Sequence, residues 1–426
     1  MKRILFSLHL IFTAIAAQAQ LTLKECQQLA RTHYPEVQRY NLISQTEQYT
    51  LSNLTKTWLP QIGLSAQGSW QTAVPTLPET LKGVMNMQGV EVPGMRKDQY
   101  KIALDVNQTI WDGGKNKAET AIAQAAANEG RAATEVSLYA LEKRVNDLFF
   151  SILLLDEHIT QLGNTQALLQ GNLDKVKSLV CGGLAMPSDA EEIEVEILHI
   201  DQQMEGMKIT KGSFKKMLEI FIGQSLGERK LKRPETVMLN PDASARPEMA
   251  LFNAQLKKIQ AQEAGIRTSL MPRLSFFAQG YYGYPGMDIF KTILKDKWSW
   301  NAILGIKASW NISGLYTKEN RMKQYDLAKQ QVQMNKEIFQ FNTQLQMAQE
   351  TGEIARLKKA LATDDKIVAL RCSVRKTAEQ RLQNGVIDTN DLLRKITEEL
   401  NAKTARSTHE VELLKAMYDL RYTMNQ

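Results

Sequence analysis

Four histidines (His33, His158, His199, His409) and three cysteines (Cys26, Cys181, Cys372) are the residues downstream of the N-terminal leader best suited to ligate a metal or act as nucleophile and base. Their spacing supports neither role. There is no His-Glu-x-x-His, no paired Cys-x-x-Cys, no Gly-x-Ser-x-Gly and no phosphate-binding glycine loop. Lone histidines on long helices read as surface residues, and three distant cysteines do not make a disulfide framework. No catalytic set, metal site or cofactor is therefore expected. What remains is charge beside two glycine turns. One turn runs through Gly183, Leu184, Ser188 and Asp189, the other through Gly385, Val386, Asn390 and Asp391, with Arg394 one helical turn further on. Glycine followed by Ser, Asn or Asp ends one helix and starts the next, and Ser188 with Glu191 reads as a capping box. Asp189, Glu191, Glu192, Glu194 and Glu196 make one helix start acidic, either as a solvated face complementing the helix N-terminus or as an entrance that attracts cations.

Long helices must carry those turns. No proline interrupts the 66 residues from Lys115 to Val180 or the 67 from Thr317 to Gln383. At about 1.5 Å per residue each would extend roughly 100 Å. Leu141, Val145, Leu148, Ile152, Leu155, Ile159, Leu162, Leu169, Leu173, Val176 and Val180 follow steps of three and four, broken only at Gln166, which is a coiled-coil seam. Return helices are expected over about 188–222 and 390–423.

Ahead of each long helix lie two segments of strand period. Ile62, Leu64, Ala66 and Trp70 alternate with Gln61, Ser65, Gln67 and Ser69, and Tyr100, Ile102, Leu104, Val106 and Ile110 with Lys101, Asp105, Asn107 and Thr109. In the second half, Ser269–Tyr282 nearly copies Thr57–Trp70, and Trp298, Trp300, Ala302, Leu304, Ile306, Ala308 and Trp310 oppose Ser299, Asn301, Lys307 and Ser309. The halves align without a gap at an offset of 212, Pro35, Glu36, Pro60, Ala66, Gln67 and Gly68 meeting Pro247, Glu248, Pro272, Ala278, Gln279 and Gly280. The first proline suits the first turn of a helix, and the second stops that helix and opens a strand. The expected organisation is a signal peptide over 1–19, a first repeat over 20–222 (strand hairpin about 60–111, helical hairpin about 115–222), a connector over 223–246, and a second repeat over 247–426 (strand hairpin about 272–312, helical hairpin about 317–423). The leader has Lys2 and Arg3, a short apolar run and Ala17-Gln18-Ala19, the pattern of a cleaved secretory signal. The formal net charge of +7 is interspersed along the chain, which gives nucleic-acid binding no support.

Four strands with bare edges make no stable isolated sheet. One such strand alone reads more readily as part of an ordinary sandwich with one solvated face. The aromatics favour a membrane barrel: Trp58, Trp70, Trp111, Trp298, Trp300, Trp310 and Tyr100 fall at or near strand ends, like the two girdles of barrels in lipid, and Tyr281, Tyr282 and Tyr284 mark further ends. Trp111 falls on the polar parity, so the alternation fails there. Eight strands is about the smallest membrane barrel, so several chains must contribute.

The leader, the opening "LTLKECQQLA", the helix-proline-strand repeat, Trp111-Asp112-Gly113-Gly114 and the paired glycine turns together resemble TolC-like outer membrane efflux proteins over essentially the whole mature chain. The resemblance implies a membrane α+β fold: a trimeric twelve-stranded β-barrel, four strands per chain, continued by a long periplasmic α-helical coiled-coil barrel. It implies a passive exit duct in the outer membrane of a Gram-negative bacterium, serving efflux or secretion, with outer membrane lipid around the barrel and a periplasmic adaptor and inner-membrane transporter as partners. Gly183, Leu184, Ser188, Asp189, Gly385, Val386 and Asn390 are then adaptor-docking tips. Asp388, Asp391 and Arg394 are then at the pore constriction, Arg394 standing where the family often has a second acid. The polar strand faces would look into a water-filled pore. The alternative is a periplasmic coiled-coil adaptor or scaffold without a pore.

Overall fold

The computed structural model describes residues 20–227, 229–236 and 246–425; the expected signal peptide and part of the expected connector lie outside them. Four strands form one antiparallel sheet in sequence order: β1 (Gln61–Trp70), β2 (Asp98–Trp111), β3 (Arg273–Tyr284) and β4 (Ser299–Ser309). Pro60 and Pro272, which lack the N–H a ladder needs, stand immediately before β1 and β3. The helices are α1 (Leu23–His33), α2 (Gln38–Lys56, after a 3₁₀ turn Pro35–Val37), α3 (Glu79–Met87), α4 (Lys115–Cys181), α5 (Pro187–Ile222), α6 (Pro247–Ser269), α7 (Ile289–Lys295), α8 (Gly314–Gln383) and α9 (Thr389–Met424). No helix among the described residues is long and apolar enough to cross a membrane.

The described residues divide into two compact units, those within 1–40, 133–250 and 336–426 in one and 41–132 and 251–335 in the other. The second contains the sheet. The long hairpin loops, about 71–99 and 283–297, carry two short helices, α3 and α7, that the sequence pattern does not signal. Leu77, Met95, Tyr284 and Ile293 make a small buried core there, with Val74, Met85 and Val92 against it. Tyr284 thus belongs to this core rather than to a row of aromatics at the strand ends. Its ring lies under the Arg96 guanidinium, 4.5 Å from the centroid, and its hydroxyl accepts from the Arg96 N–H at 2.7 Å.

Where β2 passes into α4, Asp112 accepts from the N–H groups of Gly114 (2.8 Å) and Asn116 (2.6 Å), capping the helix start. Gly113 and Gly114 take φ of 72° and 85°. A side chain at Gly113 would also collide with Met271, whose Cβ would lie 2.5 Å from the added carbon.

In the other unit α1, an element not separately expected, packs on α5. Leu23, Cys26 and Ala30 join Leu141, Val145, Phe149, Ile152, Leu218, Ile222, Val411 and Leu414 in one core. Cys26 is fully buried and burial pushes its thiol up to about 12, so it is an inert core residue. Residues 230–232 pair with Leu21: the Leu21 N–H donates to Lys230 O (3.1 Å), and Leu21 O accepts from the Lys232 N–H (2.9 Å). Along α4 the heptad seam is buried at Leu141, Val145, Leu148, Ile152, Leu162, Leu169, Leu173 and Val176; Leu155, Ile159 and Val180 are half-buried. At the break in the pattern Thr165, rather than Gln166, is the buried residue, its hydroxyl turned onto Gln161 O at 3.0 Å. Two histidines depart from the expected surface role. His158 is half-buried against Thr408 (2.8 Å), and burial lowers its pKa; His409 meets Asp364 at 2.6 Å.

Replacing Gly113 by Ala combines a left-handed backbone with a clash and should destabilise the folded protein by about 2–3 kcal/mol. Gly183→Ala, where nothing lies within 4 Å of the added carbon, should cost only the backbone preference, about 1 kcal/mol. Thermal melts of both variants in detergent measure the difference.

Candidate functional site: the strand wall and the hairpin tips

Register sorts the sheet into two faces. On one, Leu64 lies opposite Leu104, which lies opposite Gly280 and then Ala302; Ile62, Val106, Ala278 and Leu304 form the next row, and Ala66, Ile102, Tyr282 and Trp300 another. These side chains stay largely uncovered within the chain, Leu64 at 76% and Leu304 at 71% exposure. The opposite face carries Ser65, Asp105, Gln279 and Asn301, and its side chains reach one another. Asp105 accepts from Ser65 Oγ (3.2 Å) and Gln279 Nε2 (2.5 Å), and Lys101 Nζ sits 5.8 Å from the Tyr281 ring centroid. Ala103 is sealed beneath them. This second face is less polar than its alternation suggests, since Phe277, Tyr281 and Ile303 also lie on it.

The anomaly at Trp111 has a local cause. Between Thr109 and Trp111 the register shifts: Thr109 opposes Ser275, yet Trp111 opposes Leu274. The extra residue, Ile110, is a β-bulge, and it returns Trp111 to the apolar face. The aromatics then form two rows. Trp58, Trp111 and Trp310 stand at the helix-proximal strand ends, and Trp70, Tyr100, Trp298 and Trp300 at the loop ends. Tyr100 stacks on Trp298 with centroids 6.2 Å apart, and Tyr282, one of the further strand-end aromatics, touches both Trp298 (5.4 Å) and Trp300 (5.1 Å). Trp300 and Trp310 are separated by about 33 Å along the strand direction.

The two helix turns are built alike. Leu184 N–H donates to Leu179 O (2.8 Å) and Gly183 to Val180 O (2.9 Å); Val386 donates to Arg381 O (2.9 Å) and Gly385 to Leu382 O (3.0 Å). Gly183 and Gly385 hold φ of 71° and 65°, the left-handed C-terminal cap. The helix starts differ. α5 begins at Pro187, so Ser188 lies inside its first turn and the expected Ser188/Glu191 capping box is absent. The Asp189 carboxylate instead reaches back to the Met186 N–H at 2.8 Å. In α9, Asp388 is the cap, accepting from the Asp391 N–H at 2.7 Å, while Asp391 pairs with Arg394 of the same chain at 3.1 Å. Asn390 donates to Glu192 at 3.1 Å and so ties one turn to the other. Of the five acids at the start of α5, Asp189 meets the Met186 N–H, Glu192 meets Asn390, and Glu194 meets Lys177 at 2.7 Å. Leu184, Val386 and Met186, the last not anticipated, are exposed apolar knobs at the turns.

Sequence reasoning also missed the polar centre of the α8–α9 hairpin. Arg375 Nε donates to Glu399 at 2.5 Å, Arg375 also pairs with Glu379 (2.7 Å), and Lys403 meets Glu399 at 2.6 Å. The Glu399 side chain is 3% exposed. Burial raises its pKa, but the hydrogen bonds from Lys403 and Arg375 outweigh that, and the carboxyl is held below its ordinary value. The charged residues 24 positions apart that now touch had no shared sequence signal.

The chain thus combines a four-stranded antiparallel sheet with two glycine-turned helical hairpins. Residues 26–184 match the family described as outer membrane efflux protein. Among solved structures the chain is similar to the outer membrane protein VceC of Vibrio cholerae (TM-score 0.68, 12% identity, 94% of this chain and 95% of that one). It is also similar to the outer-membrane channel OprN (0.68, 13%, 94% and 89%) and the CmeC outer membrane channel of Campylobacter jejuni (0.65, 14%, 94% and 85%). No curated protein sequence matches it. The resemblance to outer membrane efflux proteins read from the sequence is thus borne out, by sequence over residues 26–184 and by fold over nearly the whole chain.

Glu399→Gln leaves Arg375 facing a neutral partner in a buried site and should cost about 3 kcal/mol. In the parent the stabilisation from this carboxylate is fully present above its unfolded pKa of about 4.3 and is lost as pH falls through its lower folded value. Melts taken between pH 7 and pH 3 should therefore show an acid-side loss in the parent that is smaller in Glu399→Gln.

Proposed function

We propose that the protein is the outer membrane exit duct of a tripartite export system, a passive channel that works as a homotrimer. Three sheets close into a twelve-stranded barrel, β4 of each chain pairing with β1 of the next. The observation that carries this reading is a sheet with two free edges of matched length, 10 residues in β1 and 11 in β4, and an exposed apolar face bounded by aromatic rows. In lipid an open edge leaves backbone groups without partners, and closure is the remedy. A coiled-coil adaptor without a pore has no use for such a sheet. The helical hairpins extend into the periplasm and their tips dock an adaptor, for which Leu184, Met186 and Val386 offer apolar contacts; an inner-membrane transporter supplies the cargo. Asp388, Asp391 and Arg394 line the constriction around the three-fold axis.

Membrane-fraction protein crosslinked in situ should migrate as a trimer that heating dissociates. Cysteine introduced at Leu304 should be protected from water-soluble maleimide, and cysteine at Asn107 should react. Monomer alone in membrane extracts, or the reverse labelling, removes the barrel.

At the constriction, three Asp391 carboxylates would repel one another unless basic groups intervene, and Arg394 supplies one per chain. Arg394→Ala and Asp391→Ala should each raise single-channel conductance in planar bilayers, and the double variant should add little to the larger single effect. Conductance equal to the parent in both single variants would return Asp391 to a role in the turn alone.

A further inference from the structure

The sheet face that the duct reading turns inward carries unbalanced positive charge. Its charged side chains along the paired strands are Lys101, Asp105, Arg273 and Lys307. Asp105 is already held by Ser65 and Gln279. Among the described residues none of the three cations forms a salt bridge within 4.0 Å, and Lys101 rests over the Tyr281 ring instead. They are not grouped in one place. Lys101 opposes Gly283 near the loop end of the sheet, whereas Lys307 opposes Ser275 and Arg273 opposes Ser309 at the helix end. Between them the wall is apolar in part. The Phe277 ring covers Gly305, whose added Cβ would sit 3.1 Å from its edge, and Tyr281 and the exposed Ile303 flank the Asp105–Gln279 row.

We propose that the strand-lined passage prefers anions, and among organic solutes those joining a negative charge to an aromatic or apolar body. The inference rests on the duct reading, with this face toward the lumen. Three-fold repetition converts each residue into a ring, so the passage holds three rings of cations against one of acid. Rings of Lys and Arg in a narrow passage with low-dielectric walls concentrate anions and exclude cations. Phe277, Tyr281 and Ile303 add surfaces on which a planar apolar body can rest, beside the Lys101 ammonium that meets its charge. The groove beside the α8–α9 turn has the same sign, lined by Arg381, Arg394 and Lys395 against Asp391.

The test uses the full-length protein reconstituted in planar bilayers. Under a KCl gradient the reversal potential should give a chloride-to-potassium permeability ratio above about 2, falling to about 1 in Lys101→Gln/Lys307→Gln. Anilinonaphthalene sulfonate added on the loop side, where Lys101 and Tyr281 lie, should block the current, and Tyr281→Ala should weaken that block about fivefold. Channels that open normally yet prefer potassium, or whose ratio and block are the same in parent and variants, overturn the anion preference and leave the duct intact. A protein that forms no channel removes the duct reading and this inference with it.

Discussion

A backbone N–H or C=O placed in hydrocarbon has no water to bond, and leaving one unpaired costs several kcal/mol. Much of this molecule follows from that constraint. On the proposed duct reading, a chain contributing four strands has its edges satisfied by other copies, and its two edge strands differ by a single residue in length. The ladder also has to remain in register with the apolar face, since a slip of one residue exchanges the faces. The bulge at Ile110 is a controlled slip of this kind. It is placed after the last polar-face pairing of β2, and it moves one tryptophan, Trp111, onto the apolar face.

The same economy operates where strand becomes helix. A helix start leaves N–H groups open, and here they are met within a few residues by Asp112, by Asp388 and by the back-reaching Asp189. The glycines between helices admit the left-handed turn that satisfies the last carbonyls of the helix before. Because both hairpin turns use the same backbone pattern, their differences lie in side chains: one helix start has Pro187 and Asp189, the other Asp388 and the Asp391–Arg394 pair.

The hairpins are also held together differently. Both hairpins share one apolar cluster, in which Leu169, Leu173 and Val176 meet Ala190, Ile193 and Ile200 together with Ala378, Leu392 and Ile396. Between α8 and α9 the buried Arg375–Glu399 pair adds a charged lock. Apolar packing tolerates sliding and small repacking, whereas a buried ion pair is strongly unfavourable when its partners separate.

Local chemistry made much of this legible in the sequence. Prolines at the starts of helices and strands, period-two and period-seven apolar patterns, and glycine followed by an acid each act within a few residues, and so the strands and long helices fall close to where the patterns place them. The internal repeat is likewise a property of the string itself. The helices within the loops were not legible because α3 and α7 are short and are held by a core assembled from both hairpin loops, residues some 200 positions apart. Ser188 was misread as a cap because the choice among Met186, Pro187 and Ser188 depends on which carboxylate reaches which N–H in three dimensions. His158 and His409 became packing residues only through partners on other helices, and Arg375 found Glu399 only once α9 had folded back along α8. Tertiary structure alone also decided that each compact unit draws on both halves of the chain, since side chains pair by proximity and proximity does not respect the order of the repeats.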